Sequence, residues 1–311
     1  MFRFILRRML QIAPTVAVIA LIIFVIFSVV PGSFATSLFS DGRNASDPAL
    51  IARMNEQFGL DKPIYERFFA YVSDLAQFDL GTSFRTRRPV VELIGERMGA
   101  SLELAAAAML FAMVVGMPLG FIAALRPGSV LDTTTMIGAV SGLSLPQFWL
   151  GLILMYVFAL KLNWLPSFGY GDGSLKHLIL PTVTLGVTPL ALLARTTRAC
   201  VLDVLSGDFV RTAFSKGLSE AQVIRRHVAR NALVQIVTTI GLLFGSLIGQ
   251  AVVIEKLFAW PGIGSLLIDS VAIRDIPVVQ GTILVIVLWF LLINTVVDVL
   301  YALIDPRIKQ E

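Results

Sequence analysis

Asp208–Val234 reads DFVRTAFSKGLSEAQVIRRHVARNALV, and this stretch decides how the rest of the chain is arranged. It lies between two long apolar runs and is the most basic part of the sequence. Arg211, Lys216, Arg225, Arg226 and Arg230, with Arg198 just upstream, face only Asp208 and Glu220. The pattern predicts helix, turn, helix. Phe209, Val210, Ala213 and Phe214 recur at helical spacing. Gly217 then interrupts, and Leu218 leads to Ser219, which can restart a helix. Ser219 with Gln222 three residues on fits a capping box, in which a hydroxyl accepts an orphan N–H at the helix start. Val223, Ile224 and Val228 give the second helix an apolar face. Such a pair, with a basic polar face and a membrane span on either side, suits a partner on the cytoplasmic side. An ordinary positive-inside loop resting on anionic lipid has the same composition.

Working outward, the composition is that of an integral membrane protein. The 311 residues are 56% hydrophobic and 15% charged, against roughly 25% charged in soluble domains. The net charge of +4 does not indicate nucleic-acid binding, because the basic residues flank apolar runs. A single cysteine, Cys200, excludes an intrachain disulfide and a multi-cysteine metal site.

Charge-free runs cover 9–40, 104–125, 133–160, 178–194, 231–254 and 276–297. A helix needs about 20 apolar residues to cross the hydrocarbon core. Their continuous apolarity argues for helices and against alternating barrel strands. The expected fold is therefore all-α and polytopic, with six transmembrane helices. Arg3, Arg7 and Arg8 precede the first run, and Lys and Arg dominate 195–230. The positive-inside bias then places both termini in the cytoplasm. The first run is too long for a typical signal-peptide core and is expected to be retained. The expected organisation is 1–30 as cytoplasmic N-terminus and first span, 31–99 as an extracytoplasmic loop with short helices, and 100–311 as a core holding spans two to six and the basic loop at about 201–231.

Prolines 118, 146, 181 and 189 fall inside spans two, three and four, which predicts bent helices. Gly241, Gly245 and Gly249 in span five present one small face to a neighbouring helix. Trp260-Pro261-Gly262 reads as a turn, followed by a short helix over 265–272. Gln147, Gln250 and Asn294 are candidate pathway-lining residues by type and depth, and interhelical hydrogen bonding is an equal alternative.

Chemistry of other kinds is missing. No Gly-x4-Gly-Lys-Ser/Thr run exists to cradle a phosphate. His177 and His227 sit in separate loops. Glu103, Asp132 and Asp298 are the acids within or bordering the spans, and none belongs to a central proton relay. An ion-gradient-driven secondary transporter or channel would need inverted repeats or central coupling acids, and neither is visible. A membrane-embedded enzyme would need a nucleophile–base pair or metal cluster.

The chain resembles the permease subunits of ATP-binding-cassette importers for dipeptides, oligopeptides and nickel, of the first-permease type. The resemblance runs through FGLDKP (58–63), FDLGTSF (78–84), RPVVELIGERMGASLELA (88–105), LPQFWLGL (145–152), HLILPTVTLG (177–186), the basic loop, FAWPGIGSLLIDSVAIRDIPVVQG (258–281) and LYALIDPRI (300–308). It implies a type I importer fold and a non-catalytic permease. It also implies that Asp208, Phe209, Arg211, Thr212, Ala213, Lys216, Gly217, Leu218, Ser219 and Glu220 form the loop that docks on an ATPase. The implied partners are a second homologous permease, two ATPase subunits carrying ATP and Mg, and an extracytoplasmic solute-binding protein. No cofactor is implied on this chain. Arg211 stands where the general family pattern has an acid, as is usual in the peptide branch. Gln235 stands where a proline is common, so span five is expected to start straighter, and Gly99 likewise replaces a common proline.

Overall fold

The computed structural model describes residues 2–29 and 62–304. The FGLDKP motif, apart from its last two residues, and the closing LYALIDPRI, apart from its start, lie outside the described residues. Among the described residues the chain is helical, with one isolated bridge between Thr82 and Pro89. In order come α1 (Phe2–Val29), α2 (Ile64–Ala76), α3 (Val90–Leu125), α4 (Val130–Ser144), α5 (Gln147–Leu154) running into a π-helical stretch (Met155–Lys161), and α6 (Leu175–Leu205). Then follow α7 (Asp208–Ser215), α8 (Glu220–Val223), a second π stretch (Ile224–Val228), α9 (Ala229–Leu257), α10 (Ile263–Ala272) and α11 (Ile276–Ile304).

Among the described residues, four helical segments are long and apolar enough to cross a membrane: Val90–Leu125, Leu175–Leu205, Gln235–Leu257 and Ile276–Val297. A fifth candidate is the broken pair Val130–Ser144 and Gln147–Lys161, bent by 105°. The continuous, merely kinked third span expected from the sequence is thus corrected. Pro146 disfavours the helical conformation of the residue before it, and Leu145 sits at φ −82°, ψ 129°, in extended backbone. Pro118, Pro181 and Pro189, by contrast, remain inside continuous helices.

The chain folds as two compact units. The first contains Gly99–Ser265 and Trp289 onward, and α6 is its central helix. Small residues let α3 and α4 approach α6. A Cβ on Gly116 would stand 2.6 Å from the Leu190 carbonyl oxygen, and one on Gly120 would collide with the Ala194 carbonyl. Gly142 of α4 faces Val187, and Gly151 of α5 faces Thr184. Pro181, Pro189, Leu185, Leu193 and Ala194 of α6 are buried as a result. On α9, Gly241 meets Val297 and Gly245 meets Asn294 and Ile293 of α11, so two of the three glycines read from sequence pack a neighbouring helix. Gly249 faces open space.

The second unit is built from Leu6–Met98 and Leu266–Leu288. Phe24 of α1 packs edge-on to Phe68 and stacks on Tyr71 of α2. Buried Asp275 organises the tight loop before α3. It accepts from Ser83 Oγ at 2.5 Å and from the Phe84 N–H at 3.0 Å. Arg88 pairs with Glu96 at 2.6 Å on the exposed start of α3.

Candidate functional site

The basic stretch folds as helix, turn, helix. Asp208 stands in the first turn of α7, where an acid complements the exposed N–H groups. Val210 and Ala213 turn inward and are buried. Asp208, Arg211 and Thr212 are exposed, and Thr212 Oγ1 donates back to the Asp208 carbonyl at 2.9 Å. Phe209 and Phe214, expected on one apolar face with Val210 and Ala213, are each 47% exposed. The surface of α7 is therefore aromatic as well as basic.

Helix α7 stops through a two-bond C-terminal cap. The Gly217 N–H donates to the Phe214 carbonyl at 2.9 Å, and the Leu218 N–H reaches the Ala213 carbonyl at 3.4 Å. This is the Schellman pattern, which requires a left-handed residue after the helix. Gly217 supplies it at φ +79°. Lys216 is exposed at the helix end and Leu218 is half-buried. Ser219 and Gln222 form the capping box read from sequence, the Ser219 N–H donating to Gln222 Oε1 at 3.1 Å. Glu220 opens α8 and is exposed.

The second helix of the pair departs from expectation. α8 is only four residues long and continues through the π stretch into α9, without a break before span five. Val223, just before that stretch, and Val228, its last residue, are buried five residues apart. One residue more than an α-helical turn is accommodated between them, which is what a π turn provides. Arg225 and Arg226 point outward. The helix runs uninterrupted through Gln235.

At its other end, the loop hangs from α6. Seven residues before that helix ends, Arg198 makes a paired contact with Asp132 at the start of α4: Nε to Oδ1 at 2.5 Å and Nη2 to Oδ2 at 2.8 Å. Asp132 is only 4% exposed. It also accepts from the Gly128 N–H at 2.9 Å, and its own N–H donates to the Ser129 cap. The sequence reading treated Asp132 as a border acid and Arg198 as one of a basic group. Their positions, 66 residues apart, carry no local signal that pairs them.

The candidate pathway residues are dispersed over three helices. Gln147, at the start of α5, is half-buried and donates to Thr188 Oγ1 of α6 at 2.9 Å. Gln250 of α9 is exposed and donates to Ser246. Asn294 of α11 is half-buried against Gly245, its Oδ1 without a hydrogen-bond donor among the described residues.

A second polar cluster was missed from sequence. Glu255, near the end of α9, is fully buried. It accepts from Ser101 Oγ at 2.6 Å and from the N–H groups of Gly264 and Ser265 at 2.8 and 3.1 Å. The carboxylate thus caps α10, where unpaired N–H groups favour an anion. Nearby, Trp260 Nε1 donates to the Ala100 carbonyl at 2.8 Å. Tyr170 packs edge-on to Trp260 and donates its hydroxyl to Glu103 at 2.8 Å. That bond and partial burial hold the Tyr170 phenol above its ordinary pKa. Gly262 was legible as a turn residue, but its closeness to the carboxylate, and that of Gly264, was not.

Two family models cover almost the whole chain. Residues 116–310 match the "Binding-protein-dependent transport system inner membrane component", and residues 1–105 match its N-terminal membrane component. The chain belongs to this family. The glutathione transport system permease protein GsiC of Escherichia coli (strain K12) is 43% identical over 99% of both chains. The GsiC of Shigella dysenteriae serotype 1 shows the same identity and coverage. Among solved structures, an inward-facing MetNI methionine ABC transporter chain aligns with TM-score 0.57 at 18% identity, covering 69% of this chain and 97% of that one. A chain of an amino acid ABC transporter aligns with TM-score 0.53 at 14% identity, covering 70% of this chain and 94% of that one.

The fold is that of type I importer permeases, as the motifs implied. The protein is a multi-pass inner-membrane permease component of a binding-protein-dependent ABC importer, not an enzyme and not an ion-gradient-driven carrier. Membership implies ATPase subunits, a solute-binding protein and a second permease as partners.

Proposed function

We propose that this chain forms half of a translocation pathway for glutathione or another small peptide, and that residues 208–220 are its contact with the ATPase. The observation that carries the reading is the α7 loop. Two capped helix ends fix it, buried Val210 and Ala213 hold it, and it presents Phe209, Phe214, Arg211 and Lys216 outward. A short helix held at both ends moves as a rigid body, and an aromatic and cationic surface suits a cleft with apolar walls and acidic edges.

In this reading the chain crosses the membrane six times with both termini in the cytoplasm, the broken α4–α5 pair counting as one crossing. Residues 31–99 face the solute-binding protein. A second homologous permease supplies the other half of the pathway, and two ATPases hold ATP and Mg. Gln147, Gln250 and Asn294 are the polar groups proposed to line the route. The likeness to glutathione permeases makes glutathione the first cargo to test, with dipeptides and oligopeptides next.

The test is uptake of labelled glutathione and of dipeptides by proteoliposomes holding the complete transporter and its binding protein. Transport is expected only with internal ATP. Ala213→Asp and Gly217→Pro are expected to abolish it while the chain still inserts. Uptake that needs no ATP, or that survives both substitutions, overturns the reading.

A further inference from the structure

We infer that Asp132 and Arg198 are positioning residues for coupling: together they make the start of α4 and the loop-bearing end of α6 a single moving piece. The inference rests on the coupling-loop reading above and adds where its motion goes. Helix α6 runs without a break from Leu175 to Leu205, and α7 begins after only Ser206 and Gly207. A displacement of α7 is therefore delivered to the last turns of α6. The two-point Arg198–Asp132 pair ties that end of α6 to another helix, about 10 Å from the helix terminus by α-helical rise.

Asp132 is built into the turn ahead of α4 by its bonds with Gly128 and Ser129, so pulling on it moves the helix start and not a loose side chain. A two-point guanidinium–carboxylate contact also resists rotation, which a single hydrogen bond does not. Burial of the carboxylate strengthens it further.

A second polar tie gives the pair its consequence. Gln147, the first residue of α5 after the 105° break, is bonded to Thr188, ten residues before Arg198 on α6. The two halves of the broken segment are thus tied to two points of α6 about 15 Å apart. Pro189 follows Thr188 and removes the helix rung that would reach back to Leu185. Bending of α6 near Pro189 then carries the start of α4 with the loop end, while the end of α4 at Gly142 and the start of α5 at Gln147 stay with Val187 and Thr188.

The experiment uses the complete transporter in nanodiscs, with Cys200→Ala and spin labels at exposed Thr133 and Thr212. In the parent protein the Thr133–Thr212 distance is expected to be the same without nucleotide and with ATP trapped, because both sites ride on one piece. In Asp132→Asn and Arg198→Gln the distance is expected to change between the two states. ATP used per solute moved should rise about tenfold, the scale on which single residues alter coupling. The unlabelled Asp132→Asn and Arg198→Gln chains should still co-purify with the ATPases, since neither substitution lies in α7. A parent distance that changes with nucleotide overturns the inference. So do variants whose distance and stoichiometry match the parent, or variants whose only defect is loss of assembled complex. Gly217→Pro, run alongside, separates the two claims: if it transports normally the coupling-loop reading falls, and if it alone fails only the role of the pair falls.

Discussion

Ser101 donates to Glu255 across 154 positions of sequence, at 2.6 Å and with both side chains fully buried. The same Ser101 oxygen accepts the Ile263 N–H at 2.8 Å, while the carboxylate takes the next two N–H groups of the turn. Every polar group in this contact serves the start of α10. Glu255→Ala leaves Ser101 and two backbone N–H groups buried and short of a partner. The expected cost is about 3 kcal/mol. Thermal unfolding in detergent should fall by several degrees, and Glu255→Gln, which keeps an acceptor, by less.

The close approach of α3 to α6 gives a sharper packing test. A Cβ at Gly120 would collide with backbone, which cannot rotate away. Gly120→Ala is expected to destabilise by roughly 1–3 kcal/mol, the usual range for overpacking. Gly138→Ala and Gly99→Ala, where open space surrounds the added methyl, should be neutral or slightly stabilising. Comparison of thermal midpoints decides it, and equal losses at all three sites would contradict the packing described.

At Gly217 the space is open and the obstacle is the backbone. Its φ of +79° costs an L-residue with a Cβ about 1–2 kcal/mol. Gly217→Asn should be tolerated best, Gly217→Ala should reduce uptake partly, and Gly217→Pro should abolish it, because proline fixes φ near −65°. That order of uptake rates, at equal amounts of inserted protein, is the expected result.

The Tyr170–Glu103 bond predicts an alkaline titration. Glu103 raises the phenol pKa above 10.0 through the hydrogen bond first, with burial and charge adding to it. A raised pKa in the folded state stabilises the fold below the unfolded value, and that stability is lost as pH rises through the folded value. The contribution is therefore complete below pH ~10 and declines only above it. Spectrophotometric titration should show a late-titrating phenol that disappears in Tyr170→Phe.

Much of this architecture is legible in the sequence, because its helices are signalled by absent charge and by local caps. The Ser219–Gln222 box, Gly217 and the turn at 260–262 all act within a few residues of themselves. Pro146 reads as a kink like the other prolines inside spans, and Pro118, Pro181 and Pro189 do stay in continuous helices. What separates it is tertiary: Gln147 is held by Thr188 once the chain has turned. Asp132–Arg198 and Ser101–Glu255 join residues far apart in sequence, and no local pattern marks either pair. In both, a charge at the edge of an apolar run looked like a boundary and is a buried tie instead. Phe209 and Phe214 show the converse, since helical spacing suggested burial and the fold leaves them half exposed.

The most direct test of the central claim is site-specific photo-crosslinking from Phe209 in the assembled transporter. A photoreactive residue at 209 is expected to capture an ATPase subunit, and one at exposed Leu242 of α9 is not. The account predicts that adduct in every preparation that shows ATP-driven uptake. If such a preparation yields only lipid adducts from position 209, the loop does not contact the ATPase and the account is wrong.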